Sequence, residues 1–144
     1  MTAKEYLLQY KRMKMRIRSI ENALQELETQ ATSISINLDG MPHGTEISDK
    51  TGRLASAMAD KENEWIDLRA EAFRVMVRVS DIIAQVEDEE RRWLLTMRYI
   101  NDYTWERIAV EMDFTYQWVA GPLHGSALQA VEKVLEKLHL LDSN

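Results

Sequence analysis

Three histidines and no cysteine make up the chain's stock of groups that ligate transition metals or carry protons near neutral pH. His43 stands close in sequence to Asp39, Glu46 and Asp49, a donor set that a polar turn-rich stretch collects by composition alone. His124 and His139 have neither a cysteine nor a paired carboxylate at ligand spacing. There is no glycine-rich phosphate loop, no thiol nucleophile and no carboxylate cluster at metal spacing. The expectation is therefore a protein that binds rather than catalyses, without catalytic residues, metal or cofactor. What the chain does concentrate is recognition chemistry. Thr115, Tyr116, Gln117, His124 and Ser126 offer donors and acceptors, and Arg91, Arg92, Arg98 and Arg107 precede them. The arginines have two readings, contact with phosphates or ion pairing with Glu87, Glu90, Asp102 or Glu111.

Short helices must position these residues. From Glu89 to Val134 apolar residues recur at helical spacing: Leu94, Leu95 and Tyr99, then Ile108, Ala109 and Met112, then Val119, Leu123, Leu128 and Val131. Two breaks divide them, Asn101-Asp102-Tyr103 before Thr104 and Asp113-Phe114 before Thr115. Each threonine suits an N-cap, since its hydroxyl accepts an N–H of the turn that follows. Three helices with a tight break between the last two outline a helix-turn-helix.

Read as L-L-x-x-R-Y-I-x-x-x-T-W-E-x-I-A-x-E-M, then T-Y-x-x-V and L-H-x-x-A-L, residues 89–138 resemble the DNA-binding fourth region of bacterial sigma factors. More closely, they resemble phage-encoded sigma-like regulators of late-gene transcription of the RinA/ArpU kind. The resemblance implies that Trp105, Ile108 and Ala109 hold the first helix of the motif to its core and that Thr115 begins the recognition helix. It implies contact with double-stranded DNA through Arg107, Thr115, Tyr116, Gln117, Trp118, Ala120, His124 and Ser126, and RNA polymerase as a second partner. Where the family pattern runs V-x-R-L-H, this chain has Val119-Ala120-Gly121-Pro122-Leu123-His124, one residue longer and without the arginine. Proline inside a helix costs about 3 kcal/mol or more and glycine about 1 kcal/mol. The recognition helix is thus expected to kink or stop near Gly121, with a final amphipathic helix restarting at Pro122, a position proline suits. That helix should run to about Leu140, with Leu123, Ala127, Val131, Val134 and Leu138 on one side and Leu128 and Leu135 beside them.

Charge is distributed against a simple DNA-reading surface. The net charge is −6, and no Lys or Arg lies between Arg107 and Lys133, although those two residue types make most phosphate contacts. At the N-terminus, Lys4, Lys11, Arg12, Lys14, Arg16 and Arg18 face Glu5 alone. That stretch reads either as a solvated helix face or as a contact for DNA backbone or another acidic partner.

The remainder of the 144 residues reads as all-α, with a long antiparallel coiled-coil hairpin preceding the helix-turn-helix domain. The arm covers residues 1–86 and the second domain 87–144. Tyr6, Tyr10, Met13, Ile17, Ile20, Leu24 and Leu27 alternate steps of four and three, a heptad seam on a helix over residues 2–30. The seam faces either the second helix or another chain, and the second choice makes the protein a homo-oligomer. Residues 31–50 read as a connecting loop, with Ile34, Ile36 and Leu38 alternating as in a short extended piece. A second helix over 51–86 repeats the spacing from Leu54 through Lys61 and Trp65 to Val86, while Ile66, Phe73, Met76 and Ile83 widen its stripe. No apolar run is long enough for a membrane span, and the N-terminus is too polar for a secretory signal, so a cytoplasmic setting in a bacterial host is expected.

Three functions compete on these grounds. The first is a sigma-like DNA-binding regulator of phage late genes. The second is a phage packaging protein of the small-terminase type, in which a ring of subunits engages DNA. The third is a helix-turn-helix fold that has lost DNA contact and serves as a protein-interaction module.

Overall fold

The computed structural model describes residues 1–38 and 45–139, which are helical with short connections and contain no strand among them. Helix α1 spans Ala3–Leu38 and α2 spans Thr45–Ala84. A capping box starts α1: Thr2 N–H donates to Glu5 Oε2 at 2.8 Å, and Glu5 N–H donates to Thr2 Oγ1 at 3.2 Å. Both helices are longer than the sequence spacing predicts. Residues 31–38 continue α1 as helix instead of forming a loop or extended piece, because the β-branched and polar residues there meet no strand partner and the backbone keeps its helical hydrogen bonds. Asp39 and His43 lie outside the described residues, so the donor set around His43 does too, although Glu46 and Asp49 belong to α2. No helix among the described residues is long and apolar enough to cross a membrane.

The chain divides into two compact units, Lys14–Glu71 and a second composed of Met1–Met13 with Ala72–Asn144. In the Lys14–Glu71 unit, the facing parts of α1 and α2 line shared grooves. Ala23 and Leu27 share one with Ala57 and Lys61, and Leu24 shares another with Met58 and Trp65. Only Ile20 is buried there among the described residues; Ile17, Leu24, Leu27, Leu54, Met58, Trp65 and Leu68 are half-buried. Two helices side by side cover one flank of a side chain and leave the other wet. Lys61, the polar member of the α2 stripe, keeps its ammonium in solvent and pairs with Glu64 at 3.2 Å.

The other unit holds the core. Leu7 from α1 and Val75, Val79, Ile82 and Val86 from the end of α2 and the turn after it are buried in it. The chain then turns sharply. Asp88 caps α3 (Glu89–Leu95), its Oδ1 accepting Arg91 N–H at 2.9 Å, while Arg92 donates to the carbonyls of Val86 at 2.6 Å and Glu87 at 3.1 Å. A π-helical turn, Thr96–Ile100, extends α3. Helix α4 covers Trp105–Met112 and ends at Asp113, whose φ of 58° is left-handed. Helix α5, Tyr116–Trp118, passes through a second π-helical turn, Val119–Leu123, directly into α6, His124–Lys137.

That passage corrects an expectation. The helix neither stops at Gly121 nor restarts at Pro122; it widens by one residue, and the His124 N–H reaches Val119 O, five residues back. A π turn carries the extra residue, so the proline is held inside a continuing helix. The expected stripe is buried at Leu123, Ala127 and Val131 but shifts at its end, where Leu135 is buried, Val134 is half-buried and Leu138 is exposed. Of the residues that widen the α2 stripe, Ile83 is buried and Met76 half-buried, but Ile66 and Phe73 stay exposed.

Candidate functional site

The two threonines cap as their positions imply. Thr104 Oγ1 accepts Arg107 N–H at 3.2 Å, and Thr115 Oγ1 accepts Trp118 N–H at 3.2 Å. Between the caps, α4 packs on α5 and on the π turn that follows it, through the buried side chains Ile108, Ala109, Met112, Val119 and Leu123. This packing leaves Thr115, Tyr116, Gln117 and Trp118 exposed on the first turn of the α5–α6 helix, with Arg107 exposed on α4 and Ala120 half-buried.

His124 and Ser126 sit differently. His124 lies 2.7 Å from the Tyr99 hydroxyl, with its ring 5.9 Å from the Tyr99 ring and 4.6 Å from Trp105, the latter edge-on. Burial, aided by the charges of Lys4 and Arg98, lowers the His124 pKa to about 4, so the imidazole is neutral at pH 7. The same burial pushes the Tyr99 phenol up to about 12, against the opposing effect of Arg98. Ser126 Oγ donates to Leu123 O at 2.9 Å and accepts from Arg91 Nε at 3.2 Å. Both residues are thus engaged by the fold, while the 115–118 turn is presented outward.

The arginines resolve one by one. Arg91 is held by Ser126, and Arg92 is held by two carbonyls and by Glu89 at 3.8 Å. Arg98 donates to Tyr103 O at 3.1 Å and lies 4.5 Å over the Trp105 ring. Arg107 lies 3.6 Å over the Tyr103 ring. None of the four pairs with Glu87, Glu90, Asp102 or Glu111; carbonyls, a hydroxyl and aromatic faces take the place of those carboxylates.

Two supporting features had no signal at the level of sequence. Tyr103 and Trp105 act as platforms for arginines, which only the closed turn between them reveals. The first part of the basic N-terminus, with Lys4, Lys11 and Arg12, belongs to the same compact unit as α4–α6, while Lys14, Arg16 and Arg18 belong to the other. Within the shared unit, Lys11 pairs with Asp102 at 3.5 Å, and the Lys4 charge is felt at His124. Of the heptad residues of α1, Met13 and Ile20 are buried and Tyr6, Tyr10, Ile17, Leu24 and Leu27 are half-buried within the single chain. Compared with known proteins, the chain matches no family model, no curated protein and no solved structure.

Proposed function

We propose that the protein is a sigma-like DNA-binding regulator of phage origin, with residues 87–144 as its helix-turn-helix domain and residues 1–86 as a coiled-coil arm. One observation carries the reading: an exposed, threonine-capped turn, Thr115–Trp118, rides on buried Ile108, Ala109, Val119 and Leu123. A turn presented this way inserts side chains into a groove while its carrier helix stays packed. The continuity of the helix through Pro122 supports the same reading, because the turn stays backed by α6. Phosphate contacts, which the α5–α6 segment lacks before Lys133, fall in this reading to Arg107 and to basic residues of the first thirteen positions. RNA polymerase and a second copy of the chain, paired through the arm, are the further partners of the reading.

Fluorescence anisotropy with promoter-sized duplexes at low and moderate salt tests it. Binding that weakens steeply as salt rises is the expected result. Absence of salt-dependent binding removes the reading in favour of a protein-interaction module. That alternative has its own support, since Val110 is 80% exposed and Phe114, Tyr116 and Trp118 are exposed near it in sequence.

A further inference from the structure

Among Arg91, Arg92, Arg98 and Arg107, only Arg107 has a guanidinium without a hydrogen-bonded partner among the described residues. The other three spend donors on Ser126, on the carbonyls of Val86 and Glu87, and on Tyr103 O. The one contact of the Arg107 guanidinium is the face of the Tyr103 ring, 3.6 Å from its centroid. Stacking of this kind occupies the π face of the fork and leaves its N–H edges free.

Tyr103 is unusually well held for a residue in a connection. Its N–H donates to Met97 O at 2.9 Å, and its carbonyl accepts from Arg98. The preceding residue, Asp102, is left-handed at φ 59° and pairs with Lys11, and the following residue, Thr104, caps α4. The backbone that carries the ring is therefore fixed on both sides, and the ring in turn covers one face of the guanidinium. Glu106 is adjacent to Arg107 and Glu111 lies one helical turn on, yet neither reaches ion-pair distance. A planar fork held by its face, with its edges in solvent, matches two oxygens of one phosphate, and little side-chain entropy remains to be lost when it binds.

We infer that the Tyr103–Arg107 stack is a preformed contact for a phosphate of the duplex backbone, with Arg107 the contacting residue and Tyr103 its positioning residue. This rests on the DNA-binding reading above and adds to it the residue that holds the contact in place. A phosphate contact carries no sequence information of its own, so its loss lowers affinity for every duplex alike.

The full chain is titrated with a labelled mixed-sequence duplex over a salt series, beside Arg107→Gln, Tyr103→Leu, Tyr103→Phe and the Arg107→Gln/Tyr103→Leu double variant. Arg107→Gln is expected to weaken binding several-fold and to flatten the plot of log K against log salt by about 0.9. Tyr103→Leu should weaken binding in the native background and add nothing in the Arg107→Gln background, whereas Tyr103→Phe keeps native affinity. A merely structural role for Tyr103 would weaken binding in both backgrounds, and that result overturns the positioning role. Arg107 is exposed, so its variant folds and decides the contact even if Tyr103→Leu does not fold. A native salt slope in Arg107→Gln overturns the inference and leaves the DNA reading standing. A native chain without salt-dependent binding removes both.

Discussion

Helix α2 and the turn after it carry one stripe of four-three spacing from Leu54 to Val86, and the stripe fares differently before Ala72 and from it onward. Leu54, Met58, Trp65 and Leu68 are half-buried, whereas Ala72, Val75, Val79, Ile82 and Val86 are buried. Apart from Lys61 the residue types are apolar in both parts, and the periodicity is unbroken. What differs is the number of neighbours. In the Lys14–Glu71 unit the stripe has α1 alone, and a pair of helices cannot enclose a side chain. In the other unit, several helical segments share one core, and there the same spacing yields complete burial. A heptad stripe therefore specifies which face of a helix is covered, and the count of partners decides how much free energy the covering contributes.

The largest effect expected from this difference is on stability. Leu7 is fully buried, and Leu7→Ala should cost about 2–5 kcal/mol. Leu27→Ala, at a half-covered position of the same α1 stripe, should cost roughly 1 kcal/mol. Urea denaturation of the native chain and both variants reads the two losses. Equal losses would erase the distinction between the units, and a small loss at Leu7 would detach the first residues of α1 from the core.

A second contrast is chemical, because the core-bearing unit hides a titratable group. His124 titrates near its ordinary 6.5 in the unfolded chain and at about 4 in the fold. As pH falls the unfolded state takes up the proton first, so this contribution to stability is complete above about pH 6.5 and is lost towards pH 4. Partial exposure of the ring tempers its size. Thermal melts at about pH 7 and about pH 4.5 should show a smaller acid loss in His124→Gln than in the native chain. An identical loss in the two would mean that the imidazole gains protons as readily folded as unfolded.

The smallest effect concerns the π turn. A Cβ at Gly121 meets no atom within 4 Å. Gly121→Ala should therefore raise stability by up to about 1 kcal/mol, the difference in helix preference between the two residues. A decrease in melting temperature would instead show that the turn around Pro122 needs the freedom of glycine.

These contrasts separate what is local in the molecule from what is not. The caps at Thr104 and Thr115, the turns that precede them and the covered face of each long helix were legible in the residues, because each depends on atoms within a turn or two of chain. The extension of α1 through residues 31–38 was less legible, since serine, threonine and β-branched residues favour helix weakly and only context selects it. At the site, the outward Thr115–Trp118 turn follows from local spacing. The inward engagement of His124 and Ser126 does not, because their partners Tyr99 and Arg91 lie 25 and 35 residues away in sequence.

By itself, then, the sequence determined an all-α chain, the caps at Thr104 and Thr115 and the covered face of each long helix, all through hydrogen bonds and periodicities that close within a few residues. Only the tertiary structure decided that Met1–Met13 share a unit with Ala72–Asn144, that Pro122 rides a π turn, and that among Arg91, Arg92, Arg98 and Arg107 only Arg107 keeps its donors free of partners among the described residues. The physical reason is common to all three: each outcome is a choice among competing partners, near or far in the chain, made by packing and by the satisfaction of polar groups, and no periodicity records that choice.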